Sequence, residues 1–347
     1  MKPALHVRGV STAVLVILAL AAAVMPVPQA TVERIYSRTI YPVIQRTLTP
    51  ISNAIPIAFL DVAAAALLVL AAFRLVSRSR SAGLKNSAGW VVATVAQTSA
   101  VVYLLFLATW GFNYRRVPLE DKLDFDRSRV TVQRASELAH EAVLRLNALH
   151  RPAHAAAQDR VALAVAFEAA ARAMGADDRI VPGRPKRSLL GIYFRKAAID
   201  GMTDPFFLEV ILNPDLLGVE EPEVLTHEWA HLAGYADESE ANFLAWLTCL
   251  RGDSRAQYSG WLAAYLRASS ALRAVRIALP KLDDGPRADL AAISARYNRS
   301  SAVVRRAASD VYDSYLKANR IPEGIDSYDA VVQLMLGTSL GSDWTPR

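Results

Sequence analysis

The sequence predicts a membrane-anchored protein, with three N-terminal transmembrane helices followed by a mainly helical α+β domain. Three observations carry this prediction. Residues 10–27, 55–76 and 90–112 are apolar runs of about membrane-spanning length. From Thr131 onward apolar residues recur at the helical period, and one β-branched and aromatic run, Phe206–Asn213, reads as a strand. Shortly after that strand comes His227-Glu228-Trp229-Ala230-His231, whose histidines share one face if the segment is helical. Hydrophobic residues make up 53 % of the 347. The first third is too apolar to be globular, so residues 1–112 read as the anchor and 113–347 as a separate extracytoplasmic domain.

The anchor begins with Lys2 and Arg8, then Val10–Val27. That run suits a membrane helix or the core of a signal peptide. Pro28-Gln29-Ala30 is a poor small-x-small cleavage site, which favours a retained helix. Residues 31–54 read as a polar loop holding Arg34, Arg38 and Arg46. In the second segment Asp61 falls near one end, where interfacial water solvates it cheaply. Arg74, Arg78, Arg80 and Lys85 follow, and Trp90, Trp110 and Tyr114 flank the third segment as candidates for an interfacial aromatic belt. Basic loops favour the cytoplasm. The N-terminus and the Arg74–Lys85 loop are therefore expected on the cytoplasmic side of the membrane, and residue 113 onward outside.

Residues 113–128 read as a polar linker. Thr131–His150 and Ala155–Met174 read as helices, with His140, His150 and His154 taken as surface or core residues without ligand spacing. Residues 175–205 are rich in Pro, Gly and Arg and read as loop, apart from a short apolar run, Leu189–Phe194. After the histidine motif come a helix at Gln257–Ala274, a break at Pro280–Pro286, two helices within Arg287–Lys317, and a short helix at Ser327–Gly337. The single cysteine, Cys249, excludes an intrachain disulfide and reads as core. The net charge of +6 is spread through arginine-rich loops with no basic block flanked by aromatics, so nucleic acid is not an expected partner. There is no glycine-rich phosphate loop and no serine nucleophile elbow.

The H-E-x-x-H motif carries the chemistry. Two neutral imidazoles one turn apart can grip one zinc ion, and Glu228 can take a proton from water at the metal. The bland alternative is a helix with two incidental histidines. Pro222 suits a first helical turn, and Gly234 is a natural stop just past His231. A third ligand should then lie on the next helix. Asp237 is a good N-cap there, and Glu240, three residues on, would complete a capping box. Glu238 and Asn242 are four apart, so the amide could orient that carboxylate. Glu238 is therefore the preferred third ligand and Glu240 the alternative, with water completing the coordination.

The stretch from Thr226 to Cys249 resembles the glutamate-zincin metallopeptidases, in which H-E-x-x-H is followed by a helix carrying Glu. The run Glu238–Ala245 is similar to their third-ligand helix, which maps the ligand onto Glu238. Most of the chain resembles a bacterial membrane family of unknown function, domain of unknown function 3810. Matching stretches are Trp110–Arg115, Pro205–Glu209, the histidine helix, Tyr258–Gly260, Tyr315–Asn319 and Ser327-Tyr328. The resemblance implies a zincin-like fold in which Phe206–Asn213 is an edge strand beside the motif helix. Such a strand holds an extended substrate by strand addition. Glu209 interrupts it and reads either as a substrate or ligand-orienting residue or as a solvent-facing one.

The resulting expectation is a membrane-bound zinc metallopeptidase acting on a peptide or protein, with the lipid bilayer as its other partner. Zinc sits on His227, His231 and Glu238, and Glu228 is the general base. Tyr328 and Tyr315 are candidate oxyanion donors, with a core aromatic role as the alternative. The competing reading is a non-catalytic membrane sensor or scaffold with a structural zinc, which would not need Glu228. Intramembrane proteolysis is disfavoured because the motif is distant in sequence from every apolar segment.

Overall fold

The computed structural model describes residues 2–82, 84–176, 180–325 and 330–347, with backbone alone for 2–10, 79, 81–82 and 84–88. The first apolar segment is helix α1 (Lys2–Val24), which ends ahead of Pro26 and Pro28. A short turn of helix, α2 (Gln29–Thr31), runs through a π-helical stretch, Val32–Ile40, into α3 (Tyr41–Ala54). The second and third segments are α4 (Phe59–Ala82) and α5 (Leu84–Thr109). Phe59–Arg78 and Gly89–Thr109 are long and apolar enough to cross a membrane. A third crossing is counted if Ser11–Val24 and Gln29–Ala54, bent by 109°, form one span. Asp61 lies in the first turn of α4 and accepts hydrogen bonds from Ser188 Oγ (2.7 Å) and Leu189 N (2.8 Å), clear of the apolar middle.

The expected polar loop at 31–54 is helical and packed. Its buried positions include Val32, Tyr36, Tyr41, Gln45, Thr49 and Ser52, a helical recurrence written largely in polar side chains. Hydropathy misses such a face because its polar atoms are satisfied by backbone groups elsewhere. Gln45 Nε2 donates to Val181 O (2.7 Å), and Thr49 Oγ1 donates to Leu208 O (3.1 Å). The expected linker at 113–128 is likewise tied down. Arg115 Nη2 donates to Ala22 O (2.8 Å), and Arg116 pairs with Glu33 (3.0 Å) while donating to Gly234 O (2.9 Å).

Beyond it come α6 (Val132–Ala155) and α7 (Arg160–Ala173), capped by Thr131 and Asp159, whose side chains accept from first-turn amides. Residues 180–205, expected as loop, contain β1 (Pro185–Lys186), α8 (Gly191–Ala197) and β2 (Gly201–Asp204). The predicted strand shortens to β3 (Glu209–Leu212), because Asp204 captures the amides of Phe206 and Phe207 and turns the chain there. Leu208 then sits at φ +49°, a conformation that ends extended structure. The sheet order is β1-β3-β2, with β1 parallel and β2 antiparallel to β3. The expected edge strand is thus the central one, and β1 and β2 are the edges.

The remaining helices are α9 (Glu221–Leu232), α10 (Glu238–Arg251), α11 (Ser254–Ala274), α12 (Asp284–Asn298), α13 (Ala302–Ala318) and α14 (Val331–Gly337). The two helices expected in 287–317 are α12 and α13. Helix α10 is buried from Glu238 to Leu250 and forms the axis of the domain. Its own Phe243, Trp246 and Cys249 are buried together with Tyr235, Tyr258 and Trp261 from neighbouring segments, and burial pushes the Cys249 thiol well above its ordinary range. The same core takes in Tyr41, Phe106, Leu107 and Trp110 from the anchor side. The motif helix is thereby pinned between the domain centre and the root of α5.

Candidate metal centre

Helix α9 begins with Pro222 in its first turn, and Thr226 Oγ1 back-bonds to Pro222 O (2.8 Å). It stops at Gly234, whose φ of +84° a Cβ would oppose. The last carbonyls of this helix are satisfied from outside it. Trp110 Nε1 donates to His231 O (3.0 Å) and Tyr41 Oη to Leu232 O (2.9 Å). Trp110 is therefore buried against the motif instead of sitting in an interfacial belt. The sequence distance between motif and apolar segments is not a spatial one, because Trp110 immediately follows the membrane-length stretch Gly89–Thr109.

The turn after Gly234 sets the histidine tautomer. His231 Nδ1 lies 2.7 Å from Tyr235 O. A carbonyl only accepts, so Nδ1 carries a proton and Nε2 is the ring nitrogen that faces inward. His227 Nε2 is 3.1 Å from His231 Nε2. Glu238 Oε2 is 3.2 Å from the first and 3.6 Å from the second. One ligand atom from each of these three residues lies within 4.8 Å of the others. Glu238 is 1 % exposed, and its other oxygen accepts the hydroxyl of Tyr312. Burial opposes charge on Glu238, but the two imidazoles override it and hold the carboxyl well below its ordinary value. Burial likewise disfavours a charged His231, and the Glu238 carboxylate overrides it, raising the imidazole to about 9.

Glu240 points elsewhere. Its Oε1 accepts from Leu119 N (2.5 Å), and burial, reinforced by Asp237, pushes its carboxyl up to about 7. Asp237 caps α10 as expected, accepting from Ser239 N and Glu240 N, but Glu240 spends its own carboxylate on Leu119 in place of closing a capping box. Asn242 does not orient Glu238 either; its Oδ1 accepts from Arg267 Nη2 (2.6 Å).

Glu228 is buried on the adjoining face of α9. Thr203 Oγ1, on edge strand β2, lies 2.8 Å from Glu228 Oε2. A Cβ at Gly201 would come within 2.6 Å of Glu228 Oε1, so only glycine lets the carboxylate lie flat on the strand. Burial raises the Glu228 carboxyl above its ordinary value. A more basic carboxylate is better suited to accepting a proton.

Glu209 lies outside this group. It is 1 % exposed, pairs with Lys186 Nζ at 2.8 Å, and accepts from Phe59 N (3.0 Å) and Leu60 N (2.9 Å). It is not solvent-facing; it caps the start of α4. Tyr315 is a partly buried aromatic stacked on Tyr312, with ring centroids 5.8 Å apart, and desolvation pushes its hydroxyl up to about 12. Tyr328 lies outside the described residues. The sequence reading missed Tyr312, Thr203 and Trp110. For Tyr312 the available signal was its place one turn before Tyr315 on an amphipathic helix.

Two imidazole nitrogens and a carboxylate held by a tyrosine are a donor set able to hold a metal ion, with orienting partners behind them. The family model described as Protein of unknown function (DUF3810) matches residues 36–336. No curated protein and no solved structure matches the chain.

Proposed function

Starting from a chain that belongs to the family described as Protein of unknown function (DUF3810), we propose that it is a membrane-anchored, zinc-dependent metallopeptidase with a zincin-like site. The observation that carries this reading is the convergence of His227, His231 and Glu238 within 4.8 Å beside a buried glutamate one residue after the first histidine. When bound, zinc would supply the Lewis acidity that amide hydrolysis needs at neutral pH. Glu228 takes the proton of the attacking water and returns it to the leaving amine. Thr203 holds Glu228 in place, and the apolar burial that raises its basicity also keeps competing water away. An extended peptide adds to the free edge of β2, with its scissile carbonyl presented to the base.

Charge supports an extracytoplasmic placement of the domain. Arg74, Arg78 and Arg80 lie toward the far end of α4 from Phe59, which Glu209 caps from the domain side. A basic end in the cytoplasm puts the metal centre on the extracytoplasmic face of a bacterial inner membrane. A reporter active only outside the cytoplasm, fused after Arg347, tests this.

The activity is tested with Glu228→Gln, which keeps shape and loses the base. The variant should retain its zinc and lose ~10²–10⁴ of the rate on peptides that the wild type cleaves from a library. A zinc-replete variant cleaving at the wild-type rate would promote the non-catalytic sensor reading.

A further inference from the structure

A second histidine pair sits far from α9. His150 and His154 are four residues apart near the end of α6, and their ring centroids are 4.5 Å apart. Spacing alone suggested surface or core roles, yet the fold brings Asp289 of α12 between them. Asp289 Oδ2 is 3.5 Å from His150 Nε2 and 3.0 Å from His154 Nε2. One ligand atom from each of the three lies within 4.8 Å of the others.

Three further features mark this as a built site. The Tyr258 hydroxyl, from buried α11, donates to Asp289 Oδ2 at 2.6 Å and fixes the carboxylate. Gly285, in the first turn of α12, makes room for the His150 ring; a Cβ there would come within 2.6 Å of it. A cavity of about 290 Å³ opens alongside, lined by His154, Val219, Arg255 and Asp289 among others, and leaves space for water to complete a coordination shell.

We propose that His150, His154 and Asp289 form a second divalent transition-metal site, of zinc-like preference, that staples α12 to α6. Two imidazoles one helical turn apart plus a carboxylate from a second helix are a borderline donor set that selects zinc-class ions over calcium or magnesium. The staple has a structural consequence. Seven residues on from Asp289, two turns along the same face of α12, Arg296 pairs with Glu220 (2.6 Å) and Asp200 (2.8 Å). Glu220 directly precedes α9 and Asp200 directly precedes β2. A metal that fixes α12 therefore braces the starts of the two elements that hold Glu228.

The test is zinc stoichiometry of the detergent-solubilised full chain, stripped with chelator and dialysed against zinc. Wild type should hold two ions per chain. His154→Ala and Asp289→Asn should each hold one, the second keeping the Tyr258 hydrogen bond and so guarding against simple misfolding. His227→Ala should also hold one, and His154→Ala with His227→Ala none. Wild-type stoichiometry in both His154→Ala and Asp289→Asn overturns the proposal. Loss of an ion in His154→Ala but not in His227→Ala supports this site while refuting the one on α9.

Discussion

Trp110 Nε1 donates a 3.0 Å hydrogen bond to the carbonyl oxygen of His231. The first residue past the last membrane-length helix thus caps the backbone of the second histidine of the motif. The two rings also meet edge-on, with centroids 6.0 Å apart. The anchor is therefore part of the scaffold that shapes the site.

Trp110→Phe removes that donor and keeps most of the ring. The carbonyl keeps its bond from Gly234 N (2.9 Å), so the cost is that of one lost hydrogen bond, ~0.5–1.5 kcal/mol. Tyr41 Oη, 3.5 Å from the same oxygen, can recover part of this. The detergent-solubilised variant should melt a few degrees lower than wild type at unchanged zinc stoichiometry. An unchanged melting temperature would show that the contact contributes nothing.

The two acidic residues of α10 should separate cleanly by metal content. Glu238→Ala, His227→Ala and His231→Ala should each lose one zinc per chain, whereas Glu240→Ala should keep it, because Glu240 serves Leu119 N. Tyr312→Phe frees the second oxygen of Glu238 and should weaken zinc binding by ~10–100-fold, the usual effect of removing a ligand-orienting partner. Competition with a chelator measures all five. Greater loss in Glu240→Ala than in Glu238→Ala would reverse the assignment.

Lys186 and Glu209 form an ion pair with side chains 1 % and 0 % exposed. Glu209→Gln leaves the lysine charge buried and should cost ~3–5 kcal/mol in denaturant unfolding. Lys186→Met combined with Glu209→Gln should recover most of that, since glutamine still accepts from the amides that start α4. A double variant as unstable as the single one would mean that the pair stabilises beyond mutual neutralisation.

Burial, only partly offset by the amides of Phe207 and Phe206, raises the Asp204 carboxyl to about 6. The folded state then binds this proton more tightly than the unfolded state. Its contribution is complete below about pH 4 and is lost as pH rises through about 6, amounting to roughly 2–3 kcal/mol. Asp204→Asn should flatten that fall. Melting temperatures of both proteins from pH 4 to 7 check it, and parallel slopes would refute it.

Some of this was legible in the chain. The apolar segments announced themselves through length, because lipid demands a run of about 20 apolar residues. The motif helix was bounded by Pro222 and Gly234, whose backbone preferences act locally. Glu238 could be preferred over Glu240 because Asp237 marked the start of α10.

What only the tertiary structure decided was every partner that arrives from far along the chain. Tyr312 reaches Glu238 across 74 residues, and Trp110 reaches His231 across 121. Residues 31–54 looked like a polar loop because their buried face includes Gln45, Thr49 and Ser52, which lose water but gain distant partners that no local pattern reveals, backbone carbonyls for the first two and the Glu209 carboxylate for Ser52. Glu209 read as a substrate or ligand-orienting residue or as a solvent-facing one, yet the central place of β3 in the sheet and the pairing with Lys186 bury it. Periodicity and capping are local physics and can be read from sequence. Burial of polar groups depends on which distant atoms satisfy them, and only the assembled fold supplies those.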